Sequence, residues 1–93
     1  MSKYNVTYTT LFKKDIKLAQ KRGYDIALLK EIITLLAEDK ALPDKSKDHA
    51  LTGNFKGFRE CHIKPDWLLI YQKVEEKLIL VLTRTGSHSD LFR

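Results

Sequence analysis

The sequence predicts an α+β domain in which two N-terminal helices pack on an antiparallel β-sheet, in the order β-α-α-β-β-β with a short C-terminal helical turn. Three observations carry this reading. Apolar residues recur at helical spacing between residues 10 and 36, the pattern changes to strand-like runs after residue 58, and the connections between those runs suit hairpins. A chain of 93 residues has room for one domain, 1–93, with a small core.

The elements follow in order. Tyr4-Asn5-Val6-Thr7-Tyr8-Thr9 is rich in β-branched and aromatic residues and reads as the first strand. Thr10 is the expected N-cap of a helix in which Leu11, Phe12, Ile16 and Ala19 recur at helical spacing, and Gly23 is its stop signal. Asp25 caps a second helix whose wide stripe of Leu28, Leu29, Ile32, Ile33, Leu35 and Leu36 implies a largely buried element. Pro43 and the polar run that follows it mark a loop reaching Gly53-Asn54, with His49 inside it. Residues 58–63 alternate, whereas 67–71 and 78–82 are continuously apolar, giving three further strands. Lys64-Pro65-Asp66 turns the first pair and Glu75-Glu76-Lys77 separates the second. Ser87-His88-Ser89-Asp90 has the spacing of a capping box and starts the terminal helical turn.

Composition narrows the functional classes. A net charge of +5 points to anionic partners. Most of the excess sits in the first helix, where Lys13, Lys14, Lys17, Lys21 and Arg22 face only Asp15. These lysines are either an electrostatic footprint on RNA phosphates or a solvated helix face. Cys61 is the single cysteine, which leaves neither an intrachain disulfide nor a cysteine-built zinc site and suits a reducing compartment. No apolar run approaches membrane-spanning length, so no membrane role and a cytoplasmic location are expected.

In an antiparallel meander the end of each strand lies beside the start of the next, so the topology brings distant residues together. His62, Asp66, Trp67, Arg84 and His88 should share one end of the sheet. With a tight hairpin around Glu75-Glu76, Trp67 would face Arg84 across the ladder. Imidazole, carboxylate and guanidinium are what RNA cleavage by the substrate's own 2′-hydroxyl requires. One group takes the hydroxyl proton, another protonates the departing 5′-oxygen, and a cation faces the charged phosphorane, without any metal or cofactor. Trp67 or Phe92 could stack on an unpaired base. Each residue also has a plain structural reading. His49 alone suits a surface histidine, Asp66 a turn residue, Arg84 an ion-pair partner of Glu60 or Asp90, and Trp67 a core residue. Cys61 shares the parity of Ile63 and should face the core, chemically inert.

Asp48-His49-Ala50-Leu51-Thr52-Gly53, residues 57–67 from Gly57 through Pro65-Asp66-Trp67, and residues 84–92 from Arg84 to Phe92 together resemble the YafQ toxins of the RelE/ParE superfamily. The resemblance covers nearly the whole chain, including 14–22 in the first helix. It implies a RelE-like fold and a type II toxin–antitoxin system whose toxin enters the ribosomal A site and cuts messenger RNA during translation. It also implies that His49, His62, Asp66, Arg84 and His88 form the active site. His88 and Asp66 are then the leading acid–base pair, His49 and His62 assist proton transfer or phosphate binding, and Arg84 stabilises charge. Trp67 and Phe92 match the family's active-site and C-terminal aromatics, while Phe55 stands where many members carry tryptophan. The implied partner is a DinJ-like ribbon-helix-helix antitoxin, with promoter DNA bound only through the complex. Two alternatives remain: a non-enzymatic gyrase-binding toxin of the ParE kind, and a metal-binding module using the three histidines and Asp66.

Overall fold

The computed structural model describes residues 2–92; Met1 and Arg93, the ends of the expected domain 1–93, lie outside the described residues. β1 (Asn5–Tyr8) leads into α1 (Thr10–Lys21), and α2 (Ile26–Ala37) follows after a tight turn. Thr9, one residue before the expected cap, closes the start of α1. Its Oγ1 accepts from the Phe12 N–H at 3.0 Å and donates to the Thr83 carbonyl at 2.7 Å, a tertiary bond that favours it over Thr10. Gly23 ends the helix with φ +76°, a left-handed conformation that residues with a Cβ disfavour. Asp25 caps α2 as expected, accepting from the Ala27 N–H at 3.1 Å.

The remaining elements are β2 (His49–Ala50), β3 (Arg59–Lys64), β4 (Trp67–Val74), β5 (Ile79–Gly86) and α3 (His88–Leu91). They form one sheet in the order β1-β5-β4-β3-β2. The α+β class and the antiparallel meander hold, with two departures. The expected loop contributes the short strand β2 at His49, and β1 lies parallel to β5, so the sheet is mixed. A parallel neighbour needs a long crossover, which α1 and α2 supply; hairpin rules concern only consecutive strands and are silent on where β1 goes.

One face of the sheet buries Cys61, Trp67, Leu69, Tyr71, Leu80 and Leu82 against Phe12 of α1 and Leu29, Ile32 and Leu36 of α2. Leu68 and Ile70 alternate with these residues toward the opposite face and are equally buried, which explains the unbroken apolar run of β4. Leu11 and Leu18 stay exposed, because the buried stripe of α1 runs through Phe12 and Ala19. Cys61 is fully buried, and burial pushes its thiol up to about 12, so the expectation of an inert cysteine stands. β1 accompanies β5 only as far as Leu82, after which α1 takes over the edge. The Thr9 N–H donates to the Leu82 carbonyl at 3.1 Å, and Asp15 accepts the Thr85 N–H at 3.1 Å.

Candidate active site

Strand parity builds the site. Along β3, Cys61 and Ile63 meet the helices, so Glu60 and His62 point to the other face. Register then extends this face sideways. His49, Glu60, Ile70 and Arg84 form one row across β2, β3, β4 and β5, and His62, Leu68 and Gly86 form the next. Just beyond Gly86 the chain turns into α3, which places His88 above the second row with its ring 5.8 Å from that of His62. The expected convergence of His62, Asp66 and His88 at one sheet end is present, and β2 adds His49.

The expected capping box starts α3: Ser87 Oγ accepts the Asp90 N–H at 3.2 Å, and Asp90 Oδ2 accepts the Ser87 N–H at 2.9 Å. Arg22, which caps the end of α1, donates to the same carboxylate at 2.7 Å, fastening α3 to the end of the first helix. Arg22 and the Ser87 N–H hold the Asp90 carboxyl far below the usual carboxylate range. Asp66 in turn holds His88 by two bonds to one oxygen, from the His88 backbone N–H at 3.0 Å and from its Nδ1 at 2.9 Å. These two bonds, the backbone one first, keep Asp66 below the ordinary carboxylate range, so it is ionised at neutral pH and suited to orient an imidazole rather than to give up a proton.

All three rings are anchored in the same sense. His88 Nδ1 faces Asp66, His62 Nδ1 lies 3.3 Å from the Pro65 carbonyl, and His49 Nδ1 lies 2.7 Å from the Lys47 carbonyl. Carbonyl and ionised carboxylate oxygens only accept, so each Nδ1 carries the donated proton and each Nε2 is left for chemistry. The Nε2 atoms of His49 and His62 lie 3.7 and 3.6 Å from the same oxygen of Glu60. Glu60, weighed in the sequence only as a partner for Arg84, is thus part of the cluster. The signal available for it was its shared parity with His62 on an alternating strand. One ligand atom from each of Glu60, His62 and His88 lies within 4.8 Å of the others, so a metal-binding set here uses Glu60 in place of Asp66 and His49.

Other expected site residues are placed differently. Trp67 is a core residue, 3% exposed, with its Nε1–H donating to Thr85 Oγ1 at 2.9 Å and its ring packed on Tyr24, so it is not free to stack on a base. Nor does it face Arg84: β4 and β5 are longer than expected and irregular between Ile70 and Tyr71, so Arg84 pairs with Ile70. Arg84 is bound by Asp15 through its Nε at 2.8 Å and one Nη at 3.1 Å, not by Glu60 or Asp90. Its backbone lies two strand spacings from Glu60, about 10 Å, and the Asp15 pair leaves part of its donor fork available. Phe92 is half-exposed beside His88, packed edge-on against Phe55 at 5.3 Å.

The basic residues also divide. Lys13 and Lys17 line a separate groove with Tyr8, and helical spacing puts Lys21 one turn beyond Lys17 while Lys14 stands a quarter-turn around α1 from Lys13. The basic cleft beside His62 is instead lined by Lys45, Lys47 and Lys64. Sequence distance concealed this set, since two of the three come from the loop before β2. Among the described residues no helix is long and apolar enough to cross a membrane.

Comparison with known proteins agrees with this architecture. Residues 4–93 match the family described as bacterial toxin of type II toxin-antitoxin system, YafQ. The mRNA interferase toxin YafQ of Escherichia coli K12 is 46% identical over 93 residues, covering 99% of both chains. The crystal structure of the E. coli DinJ-YafQ toxin-antitoxin complex matches with a TM-score of 0.89 and 42% identity, over 98% of this chain and 99% of that one. The crystal structure of a metal-bound toxin from Helicobacter pylori matches with a TM-score of 0.91 and 45% identity, over 96% and 99%. By sequence and by fold, the chain belongs to the YafQ family of bacterial type II toxin–antitoxin toxins.

Proposed function

We propose that this chain is an mRNA endoribonuclease that cuts messages in the ribosomal A site and so inhibits translation in the cytoplasm. The observation carrying this reading is the set of three histidines on one face of the sheet, each with Nδ1 anchored and Nε2 left open. The substrate's 2′-hydroxyl attacks the adjacent phosphorus, and its proton passes to an imidazole. The bond to the 5′-oxygen breaks as a second group protonates it, leaving a 2′,3′-cyclic phosphate and a 5′-hydroxyl. His88 is the leading acid–base group. Ionised Asp66 holds its tautomer and stabilises its charged form, as the aspartate does in a serine-protease triad. His49 and His62 assist proton transfer or bind phosphate, and the remaining donors of Arg84 face the phosphorane. Lys45, Lys47 and Lys64 carry the flanking RNA phosphates, and Phe92 with Phe55 offers a stacking surface.

The relative solved with DinJ supports a similar partner here, a ribbon-helix-helix antitoxin whose C-terminal segment covers the basic surface. Promoter DNA is then contacted through the complex.

The proximity of Glu60, His62 and His88, together with the metal-bound Helicobacter pylori relative, favours one second reading: a divalent cation held by these three residues. Their donor set fits such an ion, since a ligating histidine typically donates its other ring N–H to a carbonyl or carboxylate, as these do. A bound cation would supply Lewis-acid stabilisation of phosphate charge.

The test is primer extension on a defined message translated in a purified system, with and without ribosomes, using the native protein and His88→Ala, each either untreated or stripped of metal by chelator and desalted before it is added. Codon-phased cuts that require ribosomes and His88 and persist with the stripped protein are expected. Cleavage lost on stripping and restored by a divalent transition-metal ion supports the metal reading, and intact message throughout overturns the ribonuclease assignment in favour of a ParE-like binding toxin.

A further inference from the structure

The segment that carries His49 is held from the opposite face of the sheet. β2 lies at the sheet edge and contributes two residue pairs, His49 with Glu60 and Ala50 with Arg59. So short an edge strand holds its place weakly by itself. Just before it, Lys47 takes a left-handed φ of +47°, which is unfavourable for a residue with a Cβ. The Lys47 carbonyl is also the acceptor that fixes Nδ1 of His49. Asp48 stands between these two residues. It alternates with His49 and so turns toward the helix-packed face. There its Oδ1 accepts the Tyr71 hydroxyl proton at 2.5 Å and lies 3.3 Å from Nε of Arg59, which is also 3.3 Å from the Tyr71 hydroxyl oxygen. Arg59 and Tyr71 pair across β3 and β4, so the three side chains tie the β2 segment to the two strands beside it. Tyr71 is 1% exposed, and a buried hydroxyl needs a partner. Burial, and then the bond to Asp48, push this hydroxyl well above the ordinary tyrosine value, so it stays protonated and donates. The acid–base assignment uses none of these three residues.

We propose that Tyr71, through Asp48 and with Arg59, is a positioning residue for RNA cleavage: gripping Asp48 on the helix side of the sheet fixes the Lys47 carbonyl and the His49 ring on the catalytic side. The inference rests on the ribonuclease reading above. An unfavourable backbone conformation persists only where its surroundings over-determine it. With Asp48 gripped, the turn at Lys47 cannot relax without breaking the buried Tyr71 bond, and the His49 ring keeps both its place and its tautomer. A reacting group misplaced by about 1 Å can cost about 100-fold in rate, so a hold of this kind acts on turnover. His62 and His88 have their own anchors, the Pro65 carbonyl and Asp66, and do not depend on this grip.

The test compares Tyr71→Phe, which deletes the hydroxyl alone, with Tyr4→Phe. Tyr4 is equally buried and donates its hydroxyl to Glu75 at 2.6 Å, but beside the β4–β5 turn at the other end of the sheet. Cleavage of ribosome-bound message is measured over a range of message concentrations, alongside thermal melts, amide exchange and long-range 1H–15N spectra of the imidazoles. Tyr71→Phe should lower kcat by roughly 10-fold with KM near the native value, whereas Tyr4→Phe should leave both unchanged. Asp48→Asn keeps an oxygen for the Tyr71 proton and should retain more activity than Asp48→Ala. Asp48→Ala combined with Tyr71→Phe should lose no more than Asp48→Ala alone, as expected when one interaction is removed twice. In Tyr71→Phe the His49 signals should shift while those of His62 and His88 stay in place. The Leu51 amide, which bonds the Phe58 carbonyl at 2.9 Å just beyond β2, should exchange faster. Native kcat in Tyr71→Phe, an equal loss in Tyr4→Phe, losses that multiply in the double variant, or unmoved His49 signals would overturn the proposal. Failure of the native protein to cleave message would instead remove the ribonuclease reading, and the His49 signals would still report whether Tyr71 holds that ring.

Discussion

Replacing Asp90 by alanine removes the group that secures α3, and the structure sets the size of the effect. α3 has only four residues, too few to be helical by itself, so its order depends on its cap and its attachment. The substitution removes the acceptor for the Ser87 N–H and the acceptor for Arg22 together. Loss of a cap bond costs about 1 kcal/mol, and a partly exposed ion pair adds up to about 1 kcal/mol. A total near 1.5–2 kcal/mol corresponds to a roughly 10- to 30-fold larger open population. α3 is a single turn attached chiefly to β5 and Arg22, so the loss should appear as local opening rather than global unfolding. The assay is amide hydrogen exchange. Leu91 and Phe92, whose N–H groups bond the carbonyls of Ser87 and His88, should exchange roughly 10- to 30-fold faster, with the β4–β5 amides unchanged. Arg22→Ala, which removes the ion pair alone, should give a smaller acceleration. Cleavage should weaken mainly in kcat, because α3 carries His88. A Cβ added at Gly86 would approach Asp90 to 3.0 Å, so Gly86→Ala should push in the same direction. Native exchange rates in Asp90→Ala, or equal acceleration in β5, would refute the reasoning.

Two further outcomes follow from the site and its surroundings. In a His88→Ala background that leaves RNA intact, replacing Lys45, Lys47 and Lys64 together should lower the salt dependence of RNA binding by about two log units per log unit of salt. Replacing Lys13 and Lys17 should change it little, which salt titrations of a labelled oligonucleotide would check. In acid, Asp90, Asp39, Glu38 and Asp66 all have carboxyls lowered in the folded state, by Arg22, Lys3, Lys40 and the His88 N–H respectively. Their stabilisation is therefore fully present above the unfolded carboxylate value of about 4 and is lost as pH falls through the folded values. Thermal melts should fall below about pH 4, less steeply in Asp90→Asn; an unchanged acid slope in that variant would exclude Asp90 as a contributor.

Local signals determined much of this protein. Periodicity placed α1 and α2, the turn at Lys64-Pro65-Asp66 placed the β3–β4 hairpin, and Ser87 to Asp90 announced the capping box, because each depends on residues within a few positions of one another. The meander rule then brought His62, Asp66 and His88 to one end of the sheet, and the ordered sequence blocks identified the family. Tertiary structure alone decided the parallel placement of β1, the capture of Arg84 by Asp15, the burial of Trp67 against Tyr24, and the junction of Glu60 with His49. Each of these joins segments far apart in the chain or turns on a register that one irregularity shifts. A pattern read along the sequence reports which face a residue occupies, but its partner on that face is set by packing energies summed over the whole domain.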